Sequence, residues 1–214
     1  TGEKNLCLAG GVALNCVANG KILRSNLFEN IWIQPASGDA GGALGAAMHV
    51  WHVLENGERK VDGKNDSMSG AYLGPEFSED TVTDWLDKNG FRYTKHSDTE
   101  LEQQVAKYVA DQNVVGLCQG RMEYGPRALG NRSIIGDARS PKMQSVLNLK
   151  IKYRESFRPF APSCLEERIG DYFEIDTPSP YMLLVAQVQK ERCIAPSEED
   201  KKLPVIEIVN QKRS

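Results

Sequence analysis

The chain has 214 residues, 40% of them hydrophobic and 26% charged, with a formal net charge of -3. That composition suits an ordinary globular protein of one large domain, or of one domain plus a piece of another. No apolar run approaches the roughly 20 residues of a membrane-spanning helix and no signal peptide opens the chain, so a membrane protein is not expected. The five cysteines are odd in number and form no CxxC pair, which points to reduced thiols in a cytoplasmic setting and away from disulfides or zinc.

Residues 6–9 read as a short apolar strand ending at Gly10-Gly11, and the pattern through Val17, Ile22 and Leu23 reads as a helix. A glycine pair at such a junction has two readings: an approach for a ligand to the backbone at a helix N-terminus, or a tight turn with no ligand. Ile31–Ile33 reads as a second strand. In the helix expected over 40–53, Leu44, Ala47, Met48 and Trp51 fall on one face. Asp39 stands where an N-cap belongs. Its alternative role is a carboxylate ligand for a metal beside a phosphate. His49 and His52 lie three apart with no third partner, so they are expected to be surface histidines. From Glu55 to Ser69 the sequence is polar and glycine-bearing, a linker or long loop, and a domain boundary is expected near residue 65.

Beyond the boundary, residues 70–74 read as a short strand. A helix opens on Glu79 and Asp80 and carries Val82, Trp85 and Leu86. Phe91–Tyr93 reads as a strand. Thr99 and Glu102 have capping-box spacing ahead of a helix bearing Leu101, Val105, Tyr108 and Val109. Val114–Cys118 reads as a buried strand. Ser140-Pro141 should start a short helix carrying Met143, Val146 and Leu147. Lys150, Lys152 and Arg154 alternate as they would along one face of an extended segment. Residues 182–188 and 205–209 read as further strands. The mixture indicates an α/β or mixed α+β fold.

Charge is segregated along this order. Residues 120–162 contain nine Lys or Arg against Glu123, Asp137 and Glu155, so the window is +6 and the remainder of the chain is -9. A basic island in an acidic protein is a candidate anion site; the alternative is a merely basic surface. Arginine presents a planar fork of donors matched to phosphate and carboxylate oxygens. Arg121, Arg127 and Arg132 flank the Gly125-Pro126 turn, with Lys152, Arg154 and Arg158 further along. Converging on one cavity, they would hold a triphosphate plus a second anion. Phosphoryl or adenylyl transfer needs such cations for positioning and charge neutralisation. There is no P-loop, no G-x-S-x-G and no catalytic cysteine signature, which argues against a covalent mechanism.

These residues also carry a family resemblance. GRMEYGPRALGNRSIIGDAR (residues 120–139) and LNLKIKYRESFRPFAPS (147–163) resemble the carboxy-terminal domain of the O-carbamoyltransferases, the family that includes nodulation and antibiotic-tailoring enzymes. LAGGVALNCVANGKI (8–22) and IWIQPASGDAGGALGAAM (31–48) resemble the end of that family's amino-terminal domain. The resemblance implies a YrdC-like domain with a mixed twisted sheet at 65–214, preceded at 1–64 by the end of a Kae1-like, actin-like ATPase domain and a linker. It implies that the YrdC-like domain joins carbamoyl phosphate and ATP into carbamoyl adenylate. The Kae1-like domain would then pass the carbamoyl group to the hydroxyl of a small acceptor, with a bound divalent metal (Mg or Fe).

Residue by residue, Lys152-Tyr153-Arg154 matches the K-x-R motif, so Lys152, Arg154 and Arg158 are expected to be catalytic. Gly10, Gly11 and Asn15 match the adenosine-binding loop, and Asp39 the metal ligand. Arg121, Glu123, Arg127, Arg132 and Ser133 complete the expected substrate- and nucleotide-binding set. The family's paired metal-binding histidines and first phosphate-binding loops have no counterpart here, and the chain stops at Ser214, short of the usual closing segment. A fragment is therefore expected, with the metal absent and full transfer activity not expected from this chain alone. Residues 1–54 should lack most of their sheet and their domain core in it, and should pack on a neighbouring copy, as in a homodimer, or fray, since Trp32, Met48 and Trp51 would otherwise be exposed. An RNA-binding module, to which the basic window would also lend itself, is disfavoured by the acidic balance of the whole chain.

Overall fold

The computed structural model describes residues 1–195, 197–199 and 202–203. Its mixed α/β character agrees with the expectation: helices accompany two two-stranded sheets. The elements in chain order are β1 (Asn5–Leu8), α1 (Cys16–Arg24), β2 (Asn30–Ile33), α2 (Asp39–His49), α3 (Glu79–Lys88), α4 (Asp98–Ala110), β3 (Val115–Cys118), β4 (Arg132–Ile135) and α5 (Met143–Val146). β1 and β2 pair in parallel, Asn5 opposite Asn30 and Leu8 opposite Ile33. α1 lies between them in sequence, as a parallel connection requires. β3 and β4 form the second sheet. No helix among the described residues is long and apolar enough to cross a membrane.

The chain divides into two compact units. The first comprises Thr1–Ser78, Cys118–Ser133 and Pro178–Val185; the second comprises Glu79–Leu117, Ile134–Thr177 and Ala186–Ser214. The boundary expected near residue 65 thus falls inside the first unit, which runs on through the polar 55–69 segment. The first unit's core is Ala13, Ile33, Ala36, Met68, Ala71, Tyr181 and Leu183. Asn19 is buried in it, and its amide donates to the Ala13 carbonyl (2.8 Å) and the Leu183 carbonyl (3.0 Å). This ties a segment 164 residues away onto α1. The second unit buries Met143, Leu147, Asp137 and Asn148.

Several local expectations are corrected. Gly38, not Asp39, is the N-cap residue of α2, and Asp39 is the first residue of that helix. The capping box of α4 is Ser97 with Glu100: Glu100 N–H donates to Ser97 Oγ (3.4 Å) and Ser97 N–H to Glu100 Oε2 (3.0 Å). The helix therefore starts before Thr99. Residues 70–74 do not form a strand, because Ser69–Ala71 is a 3-10 turn. Phe91–Tyr93 is not a strand either, since Phe91 folds back to stack on Trp85 of α3 at 5.4 Å. Residues 147–151 continue α5 as a π-helical turn, so Lys150, Lys152 and Arg154 do not alternate along an extended chain. Residues 182–188 contain only an isolated bridge, Phe173 to Val188. The strand expected at 205–209 lies outside the described residues. β4 was not expected at all.

On α2 only Leu44 of the expected face packs against the core. Trp32, Met48 and Trp51 are 38%, 45% and 57% exposed, while Ala13, Ile33 and Ala36 of the same stretch do join a buried core. The α4 cap gives a direct test. Ser97→Ala removes the acceptor for Glu100 N–H and should lower stability by about 1 kcal/mol, read as a lower urea midpoint with an unchanged slope.

Candidate functional site

The first unit builds its share of the basic island around Glu123. This side chain is buried, and its Oε1 accepts from the backbone N–H groups of Leu129 (2.7 Å), Asn131 (2.9 Å) and Arg132 (3.2 Å). Burial alone would push its carboxyl up. The N–H groups of Leu129, Asn131 and Arg132 outweigh it and hold the carboxyl below the usual carboxylate value. Glu123 therefore acts as the internal anion of the 120–133 loop.

The loop is anchored on both sides. The Tyr124 hydroxyl donates to the Ala40 carbonyl, and the Tyr72 hydroxyl to the Leu129 carbonyl at 2.6 Å. Gly125 has φ 125, and a Cβ there would sit 3.1 Å from the Cβ of Ala36. Both facts make glycine necessary at this turn.

The three arginines of this loop are engaged with backbone. Arg121 donates to the Tyr72 carbonyl (3.2 Å) and the Leu73 carbonyl (3.3 Å). Arg132 donates to the carbonyls of Gln119 (2.7 Å), Asn131 (2.9 Å) and Gly120 (3.2 Å). Arg127 donates through Nη2 to the Leu14 carbonyl (2.9 Å), while its buried Nε has no partner. Arg127 is thus the arginine of the three with a buried donor still unmatched. Ser133 Oγ accepts from Gly130 N–H at 2.9 Å, a loop contact.

Gly10, Gly11 and Asn15 lie at the head of α1. Gly10 has φ 92, and a Cβ at either glycine would meet nothing within 4 Å. The backbone here is open to a ligand. Asn15 Oδ1 accepts from Ala18 N–H (3.1 Å) and so caps α1. Asp39 is exposed in the first turn of α2. Among the described residues no group of three or more His, Cys, Asp or Glu side chains is placed to hold a metal ion. The residues present therefore do not by themselves make a divalent-cation site, and Asp39 supplies at most one ligand. His52 Nδ1 instead lies 3.0 Å from the Gly57 carbonyl, and His49 is exposed.

Lys152, Arg154 and Arg158 belong to the second unit, whereas Arg121, Arg127 and Arg132 belong to the first. The segment bearing Lys152, Arg154 and Arg158 winds around Asn148, which is fully buried. The Asn148 amide donates to the carbonyls of Ser156 (3.0 Å) and Arg158 (2.8 Å), and its Oδ1 accepts from Arg154 Nε (2.6 Å). Gln144 donates to the Arg158 carbonyl (3.1 Å). The Arg154 guanidinium also lies over the Phe160 ring, 4.9 Å from its centroid. Tyr153 takes a left-handed φ of 49 and is 85% exposed. Lys152 and Arg158 remain at the surface. Arg158 pairs with Glu155 at 2.7 Å in an exposed contact, of the kind that contributes about 0–1 kcal/mol and yields readily to a better anion.

Sequence reasoning passed over Asn148 and counted Asp137 only among the acids of the basic window. An asparagine inside a helical run carries no periodic signal, although its place just before two lysines and an arginine marks the loop it controls. Asp137 accepts from Arg139 Nε (2.9 Å) and Nη2 (2.8 Å), from Arg139 N–H (2.9 Å) and from Gln112 (2.9 Å).

The two carboxylates can each be tested. Glu123→Ala orphans the loop N–H groups and should destabilise the chain by roughly 1–3 kcal/mol in chemical denaturation, while Glu123→Gln, which keeps an acceptor, should cost less. For Asp137, the Arg139 side chain first, then the Arg139 N–H and the Gln112 amide, hold the carboxyl down to about 2 against 3.8 for a free aspartate. The folded value lies below the unfolded one. Its stabilising contribution is therefore complete above 3.8 and is lost as pH falls toward 2. Carbon NMR titration should place the Asp137 midpoint near 2, and Arg139→Ala should raise it and shift acid unfolding to higher pH.

Comparison with known proteins places the chain. A model described as "Carbamoyltransferase N-terminus" matches residues 1–48, and one described as "Carbamoyltransferase C-terminus" matches residues 106–210. An uncharacterized protein of Synechocystis sp. is 59% identical over 100% of this chain and 35% of its own length. Nodulation protein NolO of Bradyrhizobium diazoefficiens is 41% identical over 90% of this chain and 35% of its own length. Nodulation protein NolNO of Sinorhizobium fredii is 39% identical over 90% of this chain and 28% of its own length. The chain thus spans about a third of the length of the curated relatives it matches. With the amino- and carboxy-terminal family models matched in order and together covering most of its residues, the chain belongs to the carbamoyltransferase family.

Proposed function

We propose that the chain is the carbamoyl- and nucleotide-handling part of an ATP-dependent O-carbamoyltransferase. Carbamoyl phosphate and ATP are its small-molecule partners. The carbamoyl group becomes joined to AMP as carbamoyl adenylate, one water being consumed while phosphate and pyrophosphate leave. It then passes to the hydroxyl of a small acceptor, and AMP leaves with the electron pair of the broken carbamoyl–oxygen bond.

One observation carries this reading. Within the matched carboxy-terminal family region, a segment wound around buried Asn148 keeps Lys152 and Arg158 at the surface and Arg154 oriented. A cluster of cations carried on a braced segment is what a reaction of charged phosphoanions needs. Lys152 is a point charge for a phosphate oxygen, and the Arg154 and Arg158 forks suit two oxygens each. In the first unit the open Gly10-Gly11 backbone ahead of α1 suits the nucleoside. Asp39 is read as one ligand of a divalent ion, Mg or Fe.

Calorimetric titration with carbamoyl phosphate and with ATP, singly and together, tests the reading. Lys152→Ala and Arg158→Ala should each weaken binding about 10- to 100-fold, since a charge-assisted contact contributes about 1.5–3 kcal/mol and 1.4 kcal/mol is tenfold. Arg139→Ala, whose side chain is committed to Asp137, should bind as the parent does. Absence of saturable binding by the parent, or parent-like binding by both cation variants, would sink the reading.

A further inference from the structure

The cations of the 147–160 segment do not hold their geometry alone. The segment leaves α5 through a π-helical turn and passes the left-handed Tyr153, so little regular structure fixes the chain from Arg154 onward. Four contacts with Asn148 do so instead. The Arg154 N–H bonds the Asn148 carbonyl (3.0 Å), just after the Lys152 N–H has bonded the neighbouring Leu147 carbonyl (2.9 Å). The Asn148 amide nitrogen reaches the Ser156 and Arg158 carbonyls, and its side-chain oxygen takes Arg154 Nε.

Only one orientation of the amide satisfies all of these, with oxygen toward Arg154 and nitrogen toward the two carbonyls. Arg154 thereby commits Nε to Asn148 and its face to Phe160, and among the described residues its two Nη nitrogens take no protein partner.

Resting on the functional reading above, we infer that Asn148 is the positioning residue of the anion site, holding the Arg154 fork and the Arg158 backbone in the geometry that receives carbamoyl phosphate. A buried asparagine whose every strong bond goes to the loop bearing the cations has a role that packing alone does not require. Leucine of similar size would fill the space, but it would orphan the Ser156 carbonyl and the Arg154 Nε and leave the Arg158 carbonyl to Gln144 alone. Asparagine supplies donor and acceptor at once, and preorganisation of this kind raises affinity by removing the ordering cost of the loop. Gln144, with a second donor on the Arg158 carbonyl, acts in the same direction from the other side.

The test is calorimetry with carbamoyl phosphate on the whole chain. Asn148→Asp keeps the acceptor for Arg154 Nε but sets an oxygen against the Ser156 and Arg158 carbonyls. Gln144→Ala removes the second donor without touching the buried core of the segment. Asn148→Asp should raise the dissociation constant about tenfold or more, and Gln144→Ala should raise it by a smaller factor, each at unchanged stoichiometry. A merely structural role would instead lower the fraction of competent protein, seen as reduced stoichiometry with the parent dissociation constant, and that result overturns the inference. Parent-like affinity in Gln144→Ala and in the folded Asn148→Asp chain overturns it as well. If those two bind as the parent while Lys152→Ala and Arg158→Ala lose affinity, the positioning role falls and the functional reading stands. If the cation variants also bind as the parent, both fall.

Discussion

A single carboxylate oxygen, Glu123 Oε1, receives three backbone N–H groups and determines the shape of the 120–133 loop. The constraint behind it is general in this chain. Sheets of two short strands satisfy few backbone groups, and buried polar groups left without partners are costly. Side chains therefore take over where ladders are missing. Glu123 does so for N–H groups, while Asn19 and Asn148 do so for carbonyls. Arg121 and Arg132 join them by binding carbonyls on neighbouring stretches of chain. The basic island is in this sense partly a framework: a guanidinium has five donors and can brace a loop with some while others remain.

That dual use explains how far the sequence could be read. The charge segregation, the Gly-Pro turn and the long motifs located the island and the family, and the α2, α3 and α4 helices were visible in their apolar spacing and acidic first turns. What periodicity could not distinguish was a cation aimed at a ligand from one aimed at a carbonyl. Arg132 and Arg127 look alike in the sequence, yet the first braces three carbonyls and the second keeps a buried unmatched Nε. Lys150, Lys152 and Arg154 alternate along the sequence but not in space, because a π-helical turn has no simple periodic signature. Phe91 read as strand because aromatic residues favour strands, whereas stacking on Trp85 across a short turn prevailed.

The glutamate and asparagine hubs were the least legible. Each is a polar residue in a non-periodic setting, and its value lies in partners that are distant in sequence or hidden in backbone. Glu123 entered the expected binding set, but its oxygen is already committed to the loop. Asn15, expected at the adenosine, caps α1 through Oδ1. Both side chains are thus spent on the chain's own backbone, one on a loop and one on the first turn of α1.

The contact between Gly125 and Ala36 has a consequence for how this protein can vary. Ala36 is fully buried, and Gly125 lies against its methyl group with a backbone angle that side chains disfavour. Enlarging Ala36 pushes on a turn that cannot retreat, because Tyr124 beside it is tethered to Ala40. Enlarging Gly125 meets both the methyl group and the torsional penalty. The two positions, 89 apart in the numbering, are therefore each held small. The closeness of two loops that no local sequence pattern connects thus confines two distant positions to the smallest side chains.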